Sequence, residues 1–424
     1  MSEKKWAIET ACVRAGYEPK SGEPWITPIV QSTTYQYDTA DQVADLFDLK
    51  ASGYFYTRLS NPTVDVLEKK ISALEGGIGA VATGSGQAAN LQAILNIASV
   101  GDHIVAMNNL YGGTHTLIGA TLKKFGIDST FVQLNDLEAI EAAIQDNTKL
   151  IFGETLANPG VEVLDIEAVA QIAHRHQIPL IVDNTFPTPY LCRPFEFGAD
   201  IVTHSSTKYL DGHATALGGL IVDSGHFDWT SGKFAALTDP DPNYHGLSYT
   251  EQFGPFAYLT KLRVVYLRDL GTIMAPFNAF LTNLGTETLA LRMERHSQNA
   301  LKVAQALTGH PKVEEVLYPH LPGSPYKALA DKYLPRGGSG VIGLRIKGGA
   351  SAAARWINRL KLIALVVHVG DLRSMALHPA SMTHRQLSDQ ELEAAGIAPN
   401  QIRLSVGLEQ VDDILADIDQ AFED

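Results

Sequence analysis

Cysteine is scarce: only Cys12 and Cys192 occur among 424 residues. Two thiols cannot build a disulfide-stabilised scaffold, a four-cysteine zinc site or an iron–sulfur cluster. The first ten residues carry no apolar stretch after their lysines. We therefore expect no secretory signal, and a cytoplasmic protein whose thiols stay reduced.

Long apolar runs and excess positive charge are also missing. The longest uncharged stretch, 76–101, contains six glycines and seven polar side chains, so it does not predict a membrane span. Acidic residues outnumber basic ones, 47 to 33, which gives a net charge of −14. We expect neither a nucleic acid nor a membrane surface as a partner, because both attract basic proteins.

What is present is an alternation of short apolar runs with helical patterns. Near-continuous apolar strands separated by helices predict an α/β fold with a mainly parallel sheet. Asn135 with Glu138 is typical of a helix capping box, and Asp165 is a candidate cap for the following helix, predicted at 166–176. The predicted strands of this part are 79–83, 103–107, 130–134, 150–154, 180–183, 201–203 and 219–222.

The flanking segments differ from this pattern. Residues 1–61 lack sustained periodicity and predict an arm that packs on something else, whereas 62–260 form the α/β domain. Residues 227–248 interrupt that domain with a loop. Longer, less regular elements in 261–424, with strand-like runs at 341–346, 363–369 and 402–406, predict a smaller α+β domain.

A glycine-rich turn, Thr83-Gly-Ser-Gly-Gln87, joins a predicted strand to a predicted helix. Glycines allow close approach, and a helix N-terminus offers free N–H groups to a phosphate. The turn also fits G-x-G-x-x-A, but the acidic residue that a dinucleotide site needs at the end of the next strand is absent. A tight turn without a ligand remains an alternative.

Two further polar groups follow predicted strands. Asp183 ends one strand, where its carboxylate could bind a cationic ring nitrogen. A helix cap and a magnesium ligand are the alternative interpretations. Lys208 closes Ser205-Ser-Thr-Lys208 after the next strand, where its amine can form a Schiff base with a carbonyl. In an open parallel sheet these groups meet at the carboxyl edge. A phosphate cradle, an acid and an amine together match pyridoxal 5′-phosphate.

Other catalytic patterns are not matched. His174 and His176 are two residues apart, so they do not share one face of a helix. His204 and His213 stand in no zinc-binding context, and 84–86 is not a hydrolase elbow. We expect no metal site.

Six motifs resemble the Cys/Met-metabolism family of pyridoxal-phosphate enzymes, in order and in register from about residue 6 to the C-terminus. They are YTRLSNPT at 56–63, SGQAA at 85–89, LYGGT at 110–114, VDNTF at 182–186, HSSTKY at 204–209 and IRLSVGLE at 402–409. The resemblance implies an aspartate-aminotransferase-like (type I) fold.

The resemblance also implies a role for each matched residue. Lys208 would attach the cofactor and move protons, with Tyr111 and Tyr56 as further candidate catalytic residues. Arg403 would bind the substrate carboxylate. The cofactor-binding residues implied are Gly86, Gln87, Ser205 and Thr207 around the phosphate, Tyr111 on the ring face, Asp183 at the ring nitrogen, Asn158 at the ring hydroxyl, and Lys208.

Tyr56 and Arg58 match residues that, in the family, reach the phosphate of the neighbouring subunit. The resemblance therefore implies a homodimer, paired into a homotetramer. A surface turn is the alternative reading of these two residues.

Within the family, the chain is most similar to the O-acetylhomoserine sulfhydrylases, in the insertion 240–246, in Gly113 and in the tail HPASMTHRQL at 378–387. The resemblance implies a γ-replacement on an acylated homoserine, with sulfide or a thiol as the second substrate. A γ-lyase, a cystathionine γ-synthase or a non-catalytic relative remain alternatives. His368 departs from the Ser or Asn of relatives near the substrate carboxylate, and we expect it to alter substrate preference.

Overall fold

A computed structural model of the chain describes residues 6–383, 385, 390, 392 and 396–423. The motif at 378–387 lies partly outside these described residues. The described chain contains two β-sheets, of seven and five strands.

The larger sheet has the strand order β1-β7-β6-β5-β4-β2-β3, and β7 is antiparallel to both of its neighbours while β2–β6 are parallel. This confirms the predicted mainly parallel sheet. Its strands are β1 (Gly79–Thr83), β2 (His103–Met107), β3 (Asp128–Val132), β4 (Thr148–Glu154), β5 (Leu180–Asp183), β6 (Ile201–His204) and β7 (Gly219–Asp223).

The smaller sheet is mixed, with the order β10-β11-β12-β9-β8, in which only β10 and β11 pair in parallel. Its strands are β8 (Val313–Leu317), β9 (Val341–Ile346), β10 (Ala364–Leu365), β11 (Met375–Leu377) and β12 (Gln401–Ser405).

Helices connect the strands and flank the sheets. They are α1 (Ile8–Arg14), α2 (Ala40–Phe47), α3 (Pro62–Glu75), α4 (Gly86–Leu95), α5 (Gly112–Thr116), α6 (Leu137–Ala143), α7 (Ile166–Arg175), α8 (Thr188–Leu191), α9 (Ala235–Thr238), α10 (Tyr249–Phe253), α11 (Ala257–Lys261), α12 (Arg268–Leu270), α13 (Pro276–Glu287), α14 (Leu289–Leu307), α15 (Lys327–Tyr333), α16 (Gly349–Arg359) and α17 (Val411–Phe422). None of the described helices combines the length and apolar composition of a membrane span.

Burial explains the strands. Every residue of β2, β6 and β7 is buried, as expected for strands of a mainly parallel sheet that is covered on both faces. One large apolar cluster surrounds the seven-stranded sheet, and a second one, beginning at Ala300, lies beside the five-stranded sheet. The domain boundaries after residues 61 and 260 stay a prediction.

Several sequence-based boundaries are wrong. The strand predicted at 130–134 begins two residues earlier, and of 363–369 only β10 pairs. The cap of α6 is Asp136, whose carboxylate accepts from the N–H of Ala139, and not Asn135. Asn135 instead has a left-handed backbone (φ 61°) and bonds the loop before α7. Asp165 caps α7 as predicted.

A fully buried polar cluster lies between α3 and the ends of β5 and β6. Glu75 accepts hydrogen bonds from the ring of His204 at 2.7 Å and from the amide of Asn184 at 2.9 Å. The side chains of Glu75 and His204 are both 0% exposed. Since His204 and Asn184 directly adjoin Ser205 and Asp183, this cluster fixes the backbone of two predicted site residues.

Replacing His204 with Leu is expected to destabilise the protein by about 3 kcal/mol, because the buried carboxyl group of Glu75 loses one of its two hydrogen-bond partners. For a chain of this length that loss lowers the melting temperature by about 3 °C. Calorimetry of the cofactor-free protein, at one protein concentration, measures it.

The matched control is His176→Leu. His176 pairs with Glu141 through the same atoms, but the two side chains are 35% and 40% exposed, so this loss stays below about 1 kcal/mol. Equal melting temperatures for the two variants would contradict a stabilising role for the buried cluster.

Candidate active site

A cavity of about 190 Å³ opens at the carboxyl ends of β4, β5 and β6. It is lined by most of the sequence-predicted site residues, from both the larger and the smaller sheet. Those lining it are Gly86, Gln87, Tyr111, Asn158, Asp183, Ser205, Thr207, Lys208, His368 and Arg403.

The N-terminus of α4 forms one wall of this cavity. Ser85 caps the helix, because its hydroxyl accepts a hydrogen bond from the N–H of Ala88 at 3.1 Å. The N–H groups of Gly86 and Gln87, in the first turn of the helix, have no acceptor within the helix and are available to a ligand. A Cβ on Gly86 would lie 2.6 Å from the Cβ of Ser205, so only glycine allows this close approach. Hydroxyls and helix N–H groups thus form a cradle suited to a phosphate.

Asp183 is held from two sides at the end of β5. One carboxylate oxygen accepts from the amide of Asn90 at 3.3 Å. The other accepts from the N–H of Thr185 at 3.0 Å and from its hydroxyl, which itself accepts from the N–H of Ser205 at 2.8 Å. This chain of hydrogen bonds orients the carboxylate and ties the ends of β5 and β6 together.

Glu154 is a buried site residue that the sequence analysis did not single out. It ends β4, pairs in register with Asp183, and accepts from the N–H of Tyr111 at 2.7 Å. Burial and the neighbouring Asp183 raise the pKa of Glu154 well above its usual value. Its position at a strand end, the same signal that selected Asp183, was sufficient to find it.

Lys208 lines the cavity, and its Nζ is 3.2 Å from Nδ1 of His368. Burial, and then the charge of Arg403, lower the pKa of Lys208 to about 8. A lysine with so low a pKa is partly neutral near physiological pH, which is the form that attacks a carbonyl.

Arg403 reaches the cavity from β12 of the smaller sheet. Its guanidinium donates to Oδ1 of Asn158 at 3.0 Å and to the backbone carbonyl of His368 at 2.8 Å. Burial lowers the pKa of Arg403 to about 10, so it stays charged at neutral pH. A fixed, buried guanidinium suits a carboxylate ligand.

Tyr111 is 41% exposed and stands at the cavity wall. A Cβ on Gly113 would lie 2.7 Å both from the ring of Tyr111 and from the amide nitrogen of Gln87. A side chain at position 113 would therefore displace the ring of Tyr111 or the amide of Gln87.

Tyr56 and Arg58 do not line this cavity within the single chain. Arg58 donates to the carbonyl of Arg268 and lies over the ring of Tyr56, 5.1 Å from its centroid. Tyr56 is 39% exposed. The structure thus brings together ten of the twelve predicted site residues and leaves these two, the half-buried Arg58 and the exposed Tyr56, outside the cavity.

The residues that line the cavity fit pyridoxal phosphate. The α4 cradle offers N–H groups and hydroxyls, Asp183 offers a carboxylate in the same cavity, and Lys208 offers an amine of lowered pKa.

Replacing Lys208 with Ala is expected to abolish the retention of pyridoxal phosphate through gel filtration, because the covalent attachment point is lost. The melting temperature of the cofactor-free protein should stay at the wild-type value. Lys302→Ala, at an exposed position of α14, is the matched control and should retain the cofactor. Retention by the Lys208 variant would overturn the assignment.

Comparisons with known proteins agree on one family. The model of the Cys/Met metabolism PLP-dependent enzymes matches residues 9–423. The chain is 49% identical to an O-acetyl-L-homoserine sulfhydrylase of Leptospira meyeri, over 97% of this chain and 96% of that one. It is 45% identical to a homocysteine synthase of Schizosaccharomyces pombe, over 98% of this chain and 98% of that one.

A solved structure gives the same result. A putative O-acetylhomoserine (thiol)-lyase from Campylobacter jejuni, crystallised with a pyridoxyl-lysine monophosphate, superposes with a TM-score of 0.96 at 42% identity, covering 99% of this chain and 100% of that chain. The chain therefore belongs to the Cys/Met-metabolism family of pyridoxal-phosphate-dependent enzymes.

Proposed function

We propose that the protein catalyses a γ-replacement in which O-acetyl-L-homoserine and sulfide, or a thiol, give L-homocysteine, or methionine, and acetate. Relatives at 45% and 49% identity bear the names homocysteine synthase and O-acetyl-L-homoserine sulfhydrylase. The single observation that carries the proposal is the placement of the Lys208 amine and the Arg403 guanidinium in one cavity.

In this proposal Arg403 binds the substrate carboxylate. Two of its N–H groups are already fixed by Asn158 and by the carbonyl of His368, so the guanidinium is oriented before substrate arrives. Preorganisation of this kind lowers the entropic cost of placing the substrate.

Other residues of the cavity would hold the cofactor. The N–H groups of Gly86 and Gln87, with the hydroxyls of Ser205 and Thr207, would bind its phosphate, and Asp183 would keep its ring nitrogen protonated. Tyr111 would lie against the ring, and Asn158 would contact the ring hydroxyl. Bound pyridoxal phosphate supplies an electron-withdrawing ring that stabilises negative charge on the α-carbon of an attached amino acid.

Lys208 then moves protons. As a neutral amine it accepts a proton from Cα of the substrate and later one from Cβ, so that acetate can leave from Cγ. After sulfide or a thiol has added at Cγ, the ammonium returns protons to Cβ and to Cα. A pKa of about 8 suits both tasks near neutral pH. Apolar side chains of Leu156, Phe186 and Leu217 line the same cavity and restrict water, which competes with sulfide.

We also propose a homodimer in which Tyr56 and Arg58 of one chain complete the phosphate site of the other, with two dimers paired into a tetramer. Both lie outside their own chain's cavity, and the same arm exposes apolar side chains, including Trp25 at 69% and Ile26 at 49%. Exposed apolar surface of this kind marks interaction sites. The cytoplasm stays the predicted compartment.

The reaction is tested on the purified protein with O-acetyl-L-homoserine, with and without sulfide, by measuring homocysteine and 2-oxobutanoate. Homocysteine should form only when sulfide is present, because the nucleophile must add at Cγ. Dominant 2-oxobutanoate in spite of sulfide, or cleavage of methionine while the ester is ignored, would make the protein a γ-lyase. Product formed only with cysteine would make it a cystathionine γ-synthase.

The dimer is tested by mixing two inactive variants, Lys208→Ala and Arg58→Ala, after joint unfolding and refolding. A hybrid dimer with shared sites holds one intact site, so an equimolar mixture should regain about a quarter of wild-type activity. A mixture as inactive as either variant alone would contradict shared sites.

A further inference from the structure

His368 touches both of the groups that the proposed reaction needs. Its Nδ1 is 3.2 Å from the amine of Lys208, and its backbone carbonyl accepts from the guanidinium of Arg403 at 2.8 Å. We propose that His368 is a positioning residue that accepts a hydrogen bond from the free amine of Lys208 and fixes the place of that amine relative to Arg403.

The charges around His368 keep its ring neutral. Burial, and then Lys208, lower the pKa of His368 to about 4, with Arg403 acting in the same direction and Asp371 and Asp211 opposing. A neutral imidazole has one acceptor nitrogen, and an ammonium has only donors. Lys208 is therefore the donor and Nδ1 the acceptor, which assigns the ring proton to Nε2.

Packing alone does not account for an imidazole at this place. Nε2 of His368 is buried and has no hydrogen-bond partner among the described residues. A buried nitrogen without a partner costs stability, and such exceptions call for a functional reason. The Nδ1 contact with Lys208 supplies that reason.

The two contacts of His368 are separable by mutation. Any residue at 368 keeps the carbonyl that orients Arg403, whereas only a side chain with an acceptor keeps the contact with Lys208. Substitution of His368 therefore changes the position of the Lys208 amine and leaves the guanidinium of Arg403 in place.

The test uses His368→Leu, which removes the acceptor, and His368→Asn, whose Oδ1 replaces Nδ1. The first readout is the rate at which cofactor-free protein takes up pyridoxal phosphate as a function of pH, since only the neutral amine attacks the aldehyde. An accepted hydrogen bond stabilises the ammonium, so its loss should lower the midpoint of this profile by about one pH unit in the Leu variant. The Asn variant should keep the wild-type midpoint.

The second readout is steady-state turnover, and it rests on the proposed function. In the Leu variant kcat should fall about tenfold because the amine is misplaced, while KM for the amino-acid substrate stays unchanged. The Asn variant should recover most of kcat. His213→Leu, an exposed histidine five residues after Lys208, is the control and should match wild type in both readouts.

Three results would overturn the role of His368. The first is an unchanged midpoint in the Leu variant, and the second is an Asn variant as impaired as Leu. The third is a rise in KM without loss of kcat, because it would place His368 on the substrate rather than on Lys208. A shifted midpoint in a protein that does not turn over O-acetyl-L-homoserine would leave the role of His368 intact and refute the proposed function instead.

Discussion

The alignment of three strand ends is the constraint on which the site depends. Strands β4, β5 and β6 are adjacent and parallel, so Glu154, Asp183 and the segment leading to Lys208 emerge at one edge. The N-terminus of α4 meets the same edge, and glycine at position 86 permits the contact. A phosphate cradle, a carboxylate and an amine are thus brought together by backbone pairing before any side chain is oriented.

Burial then gives these groups their chemistry. Lys208 has a pKa of about 8 because the cavity removes it from water and places it near Arg403. The same burial would be costly without compensation, and hydrogen bonds provide it. Thr185 links Asp183 to Ser205, and Glu75 links the adjacent residues Asn184 and His204. Two sets of hydrogen bonds therefore hold the ends of β5 and β6 in place.

Much of this could be predicted from the sequence, since it rests on local signals. The sequence shows apolar strands that are followed by Asp183 and Lys208. The alternation of strands with helices predicts a parallel sheet, and therefore that both residues lie at its carboxyl edge. The contact between Lys208 and His368 could not be predicted, because the two residues are 160 positions apart. The resemblance places position 368 near the substrate carboxylate, with Ser or Asn in relatives, and not beside the lysine. Asn135 illustrates a local failure: it was predicted as a cap, but tertiary contacts with the loop before α7 hold it in a left-handed turn, and Asp136 caps the helix instead.

We propose that the buried amine of Lys208, and no other lysine, holds the cofactor. Lys261 is the informative competitor, because it is also buried and its pKa is also lowered to about 8, yet it donates to the carbonyl of Asn96 outside the cavity. Borohydride reduction of the cofactor-loaded protein, followed by peptide mass mapping, distinguishes the two lysines. We expect the pyridoxyl group to be recovered on Lys208 alone. Recovery on Lys261, or spread over several lysines, would refute the assignment of Lys208.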